Sequence, residues 1–263
     1  MYETLLIDRP EPGVLLVTLN RPQRMNAMTF AMFDEFAAVC AAAQEDDEVR
    51  VLVLTGAERG FCSGMDLDLA ATLPEMATEE FLRNQERWAR GVSAFRLLNK
   101  PVIAAVNGPA AGAGFGLALA ADIRIASSSA RFIASFMKIG FSASDVGITW
   151  ALPRLIGLSR ATEILLSARD VDAEESQRIG LVAEVVPDGE LRAAALRRAR
   201  RMIEFSPLAV GLTVAALQAN VDAPFEAAIE LENRNQTLCS RSKDMPEALS
   251  AFREKRLPRW VSR

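Results

Sequence analysis

Two segments of this 263-residue chain carry the small residues and backbone groups from which a reactive site can be built. The first runs from Val51-Leu52-Val53-Leu54-Thr55-Gly56 into Phe61-Cys62-Ser63-Gly64-Met65-Asp66-Leu67. The second runs from Pro101-Val102-Ile103-Ala104-Ala105-Val106-Asn107-Gly108 into Gly112-Ala113-Gly114. Each reads as a buried apolar strand followed by a tight turn of small residues. The second turn opens a helix, whose first N–H groups have no intrahelical acceptor and point toward incoming negative charge. One backbone donor from each turn, aimed at a single oxygen, makes an oxyanion hole. Structural turns use glycine as well, so glycine alone does not decide between the two uses. The phosphate-binding pattern GxxxxGK[ST] is absent.

The chain contains no histidine. That excludes Ser-His-Asp and Cys-His catalysis and any His-ligated metal site, and no metal centre is expected. Proton transfer then falls to carboxylates, Lys, Tyr, Cys or water, and the one tyrosine is Tyr2. The cysteines Cys40, Cys62 and Cys239 are odd in number and widely spaced, which reads as free thiols in a reducing cytosol. Cys62 lies within the first turn, so a reactive thiol there is the alternative to a small buried hydrophobe.

The elements that must position these turns follow from periodicity. Val14–Leu19, Val49–Thr55 and Val102–Val106 read as strands; the near-continuous apolar run from Val49 implies burial on both faces. Thr29 is placed to cap a helix from Phe30 to about Ala43. Met76–Leu98 reads as one helix with Phe81, Trp88, Val92 and Phe95 on its apolar face. A short helix runs from Gly112–Gly114 to about Ala121, followed by strands at Ile123–Ala126 and Arg131–Ala134. Ser159 is placed to cap Arg160–Ala168, and Asp172 with Glu175 forms a capping box. After a last strand at Leu181–Val186, helices are expected at about Glu190–Glu204, Pro207–Ala219, Pro224–Ser240 and Met245–Lys255. This is an α/β core, taken as residues 1–200, followed by a helical region, residues 201–263.

Three bulk readings bound the function. The apolar half of the residues and the 24% charged share suit a globular protein. Lys100 to Asp122 has no charge between its ends, but its density of glycine and proline argues against a membrane span. The arginines of Arg192–Arg201 sit in a chain of net charge -4 without interleaved aromatics, so they read as a solvated helix face rather than a nucleic-acid site.

In order along the chain, several short motifs resemble the crotonase, or enoyl-CoA hydratase/isomerase, superfamily. They are Asn20-Arg21-Pro22 with Asn26-Ala27-Met28, the FCSGMDL segment, Pro101–Gly116, and Asp122-Ile123-Arg124-Ile125-Ala126. Ala130-Arg131-Phe132, Leu152-Pro153-Arg154-Leu155-Ile156-Gly157, Gly180-Leu181-Val182 and Phe252-Arg253-Glu254-Lys255-Arg256 continue the match. The resemblance implies a spiral of ββα units with a C-terminal helical trimerisation region, and a homotrimer or hexamer. It implies acyl- or enoyl-CoA thioesters as ligands of a cytoplasmic enzyme of lipid metabolism, with no tightly bound cofactor and coenzyme A entering as part of the substrate. The two oxyanion donors of the family map onto the N–H groups of Met65 and Ala113. Arg24 and Ala27 map onto the coenzyme A site, together with Ser63, Leu67 and Asp66, the last mainly as a structural member. Phe252 and Lys255 map onto positions that approach the nucleotide end, often from a neighbouring subunit.

The chain departs from the hydratases of that family. The positions of the two hydratase glutamates hold Gly116 and Phe136 here, and neither can transfer a proton. Asp145 stands in the loop Gly140–Gly147, where similar dienoyl-CoA isomerases, dihydroxynaphthoyl-CoA synthases and chlorobenzoyl-CoA dehalogenases carry a working aspartate. The dehalogenase route also needs a histidine. Burial beside Phe136, Phe141 and Trp150 would raise the pKa of Asp145 and make it a useful base. The competing use is as the N-cap of the helix that follows. Asp68, Glu75 and Glu86 are lesser candidates for the acyl pocket, and Asp122 is expected to pair with backbone. Isomerase-type proton transfer by Asp145 is the leading expectation. Acyl-CoA binding without chemistry, or thioester hydrolysis, are the alternatives.

Overall fold

The structure is a computed structural model and describes residues 2–262. The chain opens with β1 (Leu5–Glu11) and β2 (Val14–Leu19), then α1 (Phe30–Glu45) and β3 (Val51–Gly56). Next come α2 (Leu67–Thr72), α3 (Thr78–Arg96), β4 (Val102–Val106), β5 (Pro109–Ala111) and α4 (Ala113–Ala120). Then follow β6 (Ile123–Ser127), β7 (Arg131–Ile133), α5 (Ile148–Ile156), α6 (Leu158–Ser167), β8 (Asp170–Asp172), α7 (Ala173–Arg178) and β9 (Glu184–Val186). The C-terminal part is helical: α8 (Leu191–Ile203), α9 (Pro207–Asn220), α10 (Phe225–Arg241) and α11 (Asp244–Glu254).

The main sheet has the order β1-β2-β3-β4-β6-β9 and is parallel except for the β1–β2 pair. Its central strands are buried on both faces, as their unbroken apolar runs predict. Leu15, Val17, Leu52, Leu54, Val102 and Ala104 face α1, α3 and α4. Their neighbours in sequence, Val14, Leu16, Val51, Val53, Ile103 and Ala105, face the other way and pack with Leu191, Ala194, Ala195 and Ala199 of α8. Alternation along a strand sends adjacent residues to opposite faces, so one apolar run serves both layers. A second sheet, β5-β7-β8, lies beyond the main one and braces the second glycine turn.

Most local signals hold. Thr29 caps α1 by accepting from Met32 N–H, and Asp172 caps α7 by accepting from Glu175 N–H. Four differences have physical reasons. Ser159 does not cap α6; that helix starts one residue after Gly157, whose φ of +83° breaks it from α5. The expected Met76–Leu98 helix begins at Thr78, because a short turn at Leu73–Glu75 and the separate helix α2 precede it. The last strand begins at Glu184, since Leu181 and Val182 close back onto the Ser176 carbonyl. β1 escaped the sequence reading because it is an edge strand, mostly exposed, with no apolar alternation.

Arg192, Arg198 and Arg200 of α8 reach Asp8, Glu184 and Glu11, so the basic run is a solvated, ion-paired face. No single helix among the described residues is long and apolar enough to cross a membrane.

Candidate active site

The two glycine turns lie side by side because they share backbone hydrogen bonds. Cys62 N–H donates to the Pro109 carbonyl (3.1 Å), and Ala111 N–H donates to the Cys62 carbonyl (2.9 Å). On the far side of the first turn, Met28 N–H donates to Gly64 O (2.7 Å) and Asp66 N–H donates to Met28 O (2.9 Å). These bonds alternate around Met65, whose own N–H finds no acceptor among the described residues. Gly112 N–H is held by the Ile133 carbonyl at 2.9 Å, and Ala113 is the first residue of α4. Its N–H is one of the orphans that every helix start leaves, and it too has no acceptor among the described residues. The turns touch: a methyl group built on Gly64 would stand 3.4 Å from Ala113 N and 2.8 Å from Ala111 O. With φ at +94°, position 64 takes glycine for its backbone shape and for this close approach.

Both free N–H groups open on a cavity of about 510 Å³. Phe33, Leu73, Phe81, Trp88, Phe136 and Phe141 form apolar walls, and Ser63, Gln85, Lys138 and Asp145 are among its polar lining. The aromatic wall is braced from behind: the Trp88 ring lies 5.5–6.0 Å from those of Phe30, Phe33 and Phe81. A larger cavity of about 730 Å³ lies between α9, Lys100 and the C-terminal tail. Its lining contains neither glycine turn, so size does not identify the site.

Asp145 is one of two ionisable side chains lining the smaller cavity, with Lys138 the other. It is not a helix cap. The N-cap of α5 is Gly147, with no side-chain bond, and it is the Asp145 backbone carbonyl that accepts from Ile148 N–H. The carboxylate Oδ1 instead accepts from Val146 N–H (2.8 Å) and from Gln85 Nε2. Burial pushes the carboxyl above its usual range, and these two hydrogen bonds oppose the shift without cancelling it. Phe136 and Phe141 share the cavity with Asp145, but Trp150 does not. Its half-exposed ring lies under Arg154, whose guanidinium carbon is 4.3 Å from the ring centre.

The positions of the absent glutamates are filled by apolar groups. Phe136 lines the cavity, and a side chain on Gly116 would overlap Val146 Cγ2. Val146 has φ at +41°, a left-handed conformation that is strained for a β-branched residue.

The remaining candidates divide into two groups. Ser63, Met65, Leu67 and Ala113 line the cavity. Arg24, Ala27 and Asp66 lie behind the first turn and hold it. Asp66 caps α2 and pairs with Arg21 (2.8 Å) and Arg24 (3.1 Å), and Arg21 also binds the Ala27 carbonyl. Burial pushes the Asp66 carboxyl up, but the hydrogen bonds from Arg24, Arg21 and Asp68 N–H together outweigh it and hold it down to about 2. Phe252 and Lys255 lie at the end of α11 and do not line the cavity of this single chain. Asp68, Glu75 and Glu86 do not line it either; Asp68 is exposed and pairs with Arg24. Asp122 binds Val102 N–H, as its position between α4 and β6 implies. Cys62 is fully buried, its thiol is pushed up to about 12 by desolvation, and it donates to the Asn26 carbonyl, so it is a structural thiol. Sequence reasoning missed Gln85. The signal was present: with Phe81 and Trp88 it recurs at helical spacing, so it is a polar residue on an apolar stripe.

A family model described as enoyl-CoA hydratase/isomerase matches residues 9–263. A Mycobacterium tuberculosis protein named probable enoyl-CoA hydratase EchA12 is 44% identical over 260 residues, covering 97% of this chain and 91% of that one. The 1,2-epoxyphenylacetyl-CoA isomerase of Escherichia coli K12 is 37% identical over 259 residues, covering 98% of each. Among solved structures, an enoyl-CoA hydratase from Bacillus anthracis superposes with a TM-score of 0.93 at 32% identity, covering 98% of this chain and 99% of that one. With two adjacent turns presenting unpaired N–H groups to an apolar cavity, and with matches over nearly its whole length, this chain belongs to the enoyl-CoA hydratase/isomerase family, the crotonase superfamily.

Proposed function

We propose that the protein isomerises enoyl-CoA thioesters, with Asp145 as the proton carrier and the N–H groups of Met65 and Ala113 as the oxyanion hole. The observation that carries this reading is the content of one cavity. It holds two backbone donors with no acceptor among the described residues and one carboxylate, while the positions of the two hydratase glutamates hold a glycine and a phenylalanine.

In a 3-enoyl thioester, the Asp145 carboxylate takes the proton from the α carbon. Negative charge moves onto the thioester oxygen, where two N–H groups receive it; one such donor is worth about 3–4 kcal/mol in the transition state. The acid now formed returns the proton to the γ carbon, and the double bond moves from C3–C4 to C2–C3. One carboxylate suffices, because the group that removes the proton also delivers it. Water addition would need a second group to hold the water. The raised pKa of Asp145 suits the role, since a base matched to its working pH both accepts and releases a proton readily. A solved Mycobacterium smegmatis protein titled a monofunctional enoyl CoA isomerase, 44% identical over 86% of this chain, is in line with this choice.

Coenzyme A enters only as part of the substrate, past Ser63 and Leu67 of the cavity lining, with Arg24 and Ala27 holding the turn behind them on the coenzyme A side. The C-terminal helices serve assembly into a homotrimer, or a hexamer of two trimers. Support comes from α10, which buries none of its residues in the single chain, and from Phe225 and Phe252, which are largely exposed. A panel of 2-enoyl-, 3-enoyl- and dienoyl-CoA substrates tests the reaction class. Conversion of 3-hexenoyl-CoA to the 2-enoyl isomer, lost in Asp145→Asn, is the expected result. Equal turnover by wild type and variant would remove Asp145 from the mechanism.

A further inference from the structure

We infer that Gln85 is a positioning residue for this reaction: with Val146 N–H it clamps one carboxylate oxygen of Asp145 and leaves the other free to carry the proton. The inference rests on the reading that Asp145 moves the proton. Both donors converge on Oδ1, and no hydrogen bond among the described residues reaches Oδ2. The two donors come from different elements. Gln85 is one turn beyond Phe81 on α3, and Val146 belongs to the loop before α5. A carboxylate held through a single oxygen from two directions has little freedom to swing.

The backbone at Val146 makes the second half of the clamp. The Val146 N–H donates back to the side chain of the preceding residue at 2.8 Å, and the left-handed φ of Val146 accompanies the seating of its isopropyl group over Gly116. Strain of this kind persists only where the surroundings enforce it. Here the missing side chain at Gly116 provides the space. Oδ1 accepts in both protonation states of Asp145, so the clamp holds the group through the whole cycle while Oδ2 gains and loses the proton. Of the charged groups on the elements around the cavity, Lys138 alone shares its lining with Asp145; α4 contributes none.

The test uses Gln85→Met, which keeps the length and helix preference of the residue but cannot donate. The carboxyl signal of Asp145, followed by carbon-13 NMR in aspartate-labelled protein and assigned by its loss in Asp145→Asn, is expected to titrate about one pH unit higher than in wild type. With 3-hexenoyl-CoA, kcat is expected to fall about tenfold with KM within twofold, and the acid limb of the rate profile to move up by the same amount as the NMR titration. Gln85→Leu repeats the measurement with a different side-chain shape. An unmoved Asp145 titration in a folded variant would overturn the inference whatever the activity. Wild-type activity in Asp145→Asn would instead overturn the proposed mechanism, leaving the titration result to stand or fall separately.

Discussion

The Val146 side chain occupies the space that any side chain at position 116 would need: a Cβ built on Gly116 would overlap Val146 Cγ2. The loss of a hydratase glutamate at 116 and the strained loop beside Asp145 are therefore one structural fact. A glutamate cannot be restored there without moving the loop that holds the remaining acid.

This coupling predicts non-additive stability. Gly116→Ala is expected to destabilise the fold by about 1–3 kcal/mol through overpacking, despite the better helix preference of alanine. Val146→Gly in the same chain removes the overlap and tolerates the positive φ. The double variant is expected to be more stable than the sum of the single changes implies, by at least about 0.5 kcal/mol in urea titrations. Simple additivity would count against the contact.

Asp145 has a consequence for stability as well as for rate. Its folded pKa is raised by burial, so the native state binds its proton more tightly than the unfolded chain does. Its ionisation then weakens the fold as pH rises through the window between the unfolded and folded values. Asp145→Asn keeps an oxygen that can accept from Gln85 and Val146 N–H. It is expected to melt higher than wild type at pH 7, with the gain vanishing below about pH 4, where the unfolded carboxyl is protonated too. Calorimetry at the two pH values checks the sign.

Gly64→Ala is expected to cost about 100-fold or more in kcat on 3-hexenoyl-CoA. Position 64 has φ at +94°, and a Cβ there would stand 2.8 Å from the Ala111 carbonyl, so the Met65 N–H must shift away from the Ala113 N–H. Steady-state kinetics beside a thermal melt separate loss of the donor from loss of the fold.

The thiols are expected to sort by burial. Cys40 and Cys62 are buried, and desolvation pushes both up to about 12. Alkylation of native protein at pH 8, read by peptide mass spectrometry, should leave both unlabelled until denaturant is added. Labelling of native Cys62 at the rate of a free thiol would contradict its structural role.

Assembly is expected to depend on the C-terminal helices. Phe225→Asp together with Phe252→Asp should convert a trimer or hexamer into smaller species in sedimentation velocity, with the circular dichroism spectrum of the core retained. An unchanged sedimentation coefficient would move the interface elsewhere.

Where the relevant physics is local, the sequence determined the outcome. The Thr29 and Asp172 caps, the two-sided strands at Val51 and Val102, and the start of α4 beside Gly112 each depend on a few neighbouring residues. Order along the chain was enough to suggest the family, and residue type alone excluded histidine chemistry and acid catalysis at 116 and 136. The absence of histidine proved compatible with the two unpaired N–H groups at Met65 and Ala113, because main-chain donors need no particular side chain. What tertiary structure decided is long-range. Whether Asp145 caps a helix or faces a cavity depended on where Gly147 ends the loop and on Gln85, sixty positions away in the chain. The strands β5 and β8 are three residues each and are defined by long-range pairing: β8 with β7, and β5 with β7 on one side and the Cys62 turn on the other. The seat of Val146 over Gly116 is a packing relation between a loop and a helix. No periodicity encodes such a relation, because it is set by which surfaces meet once the core has closed.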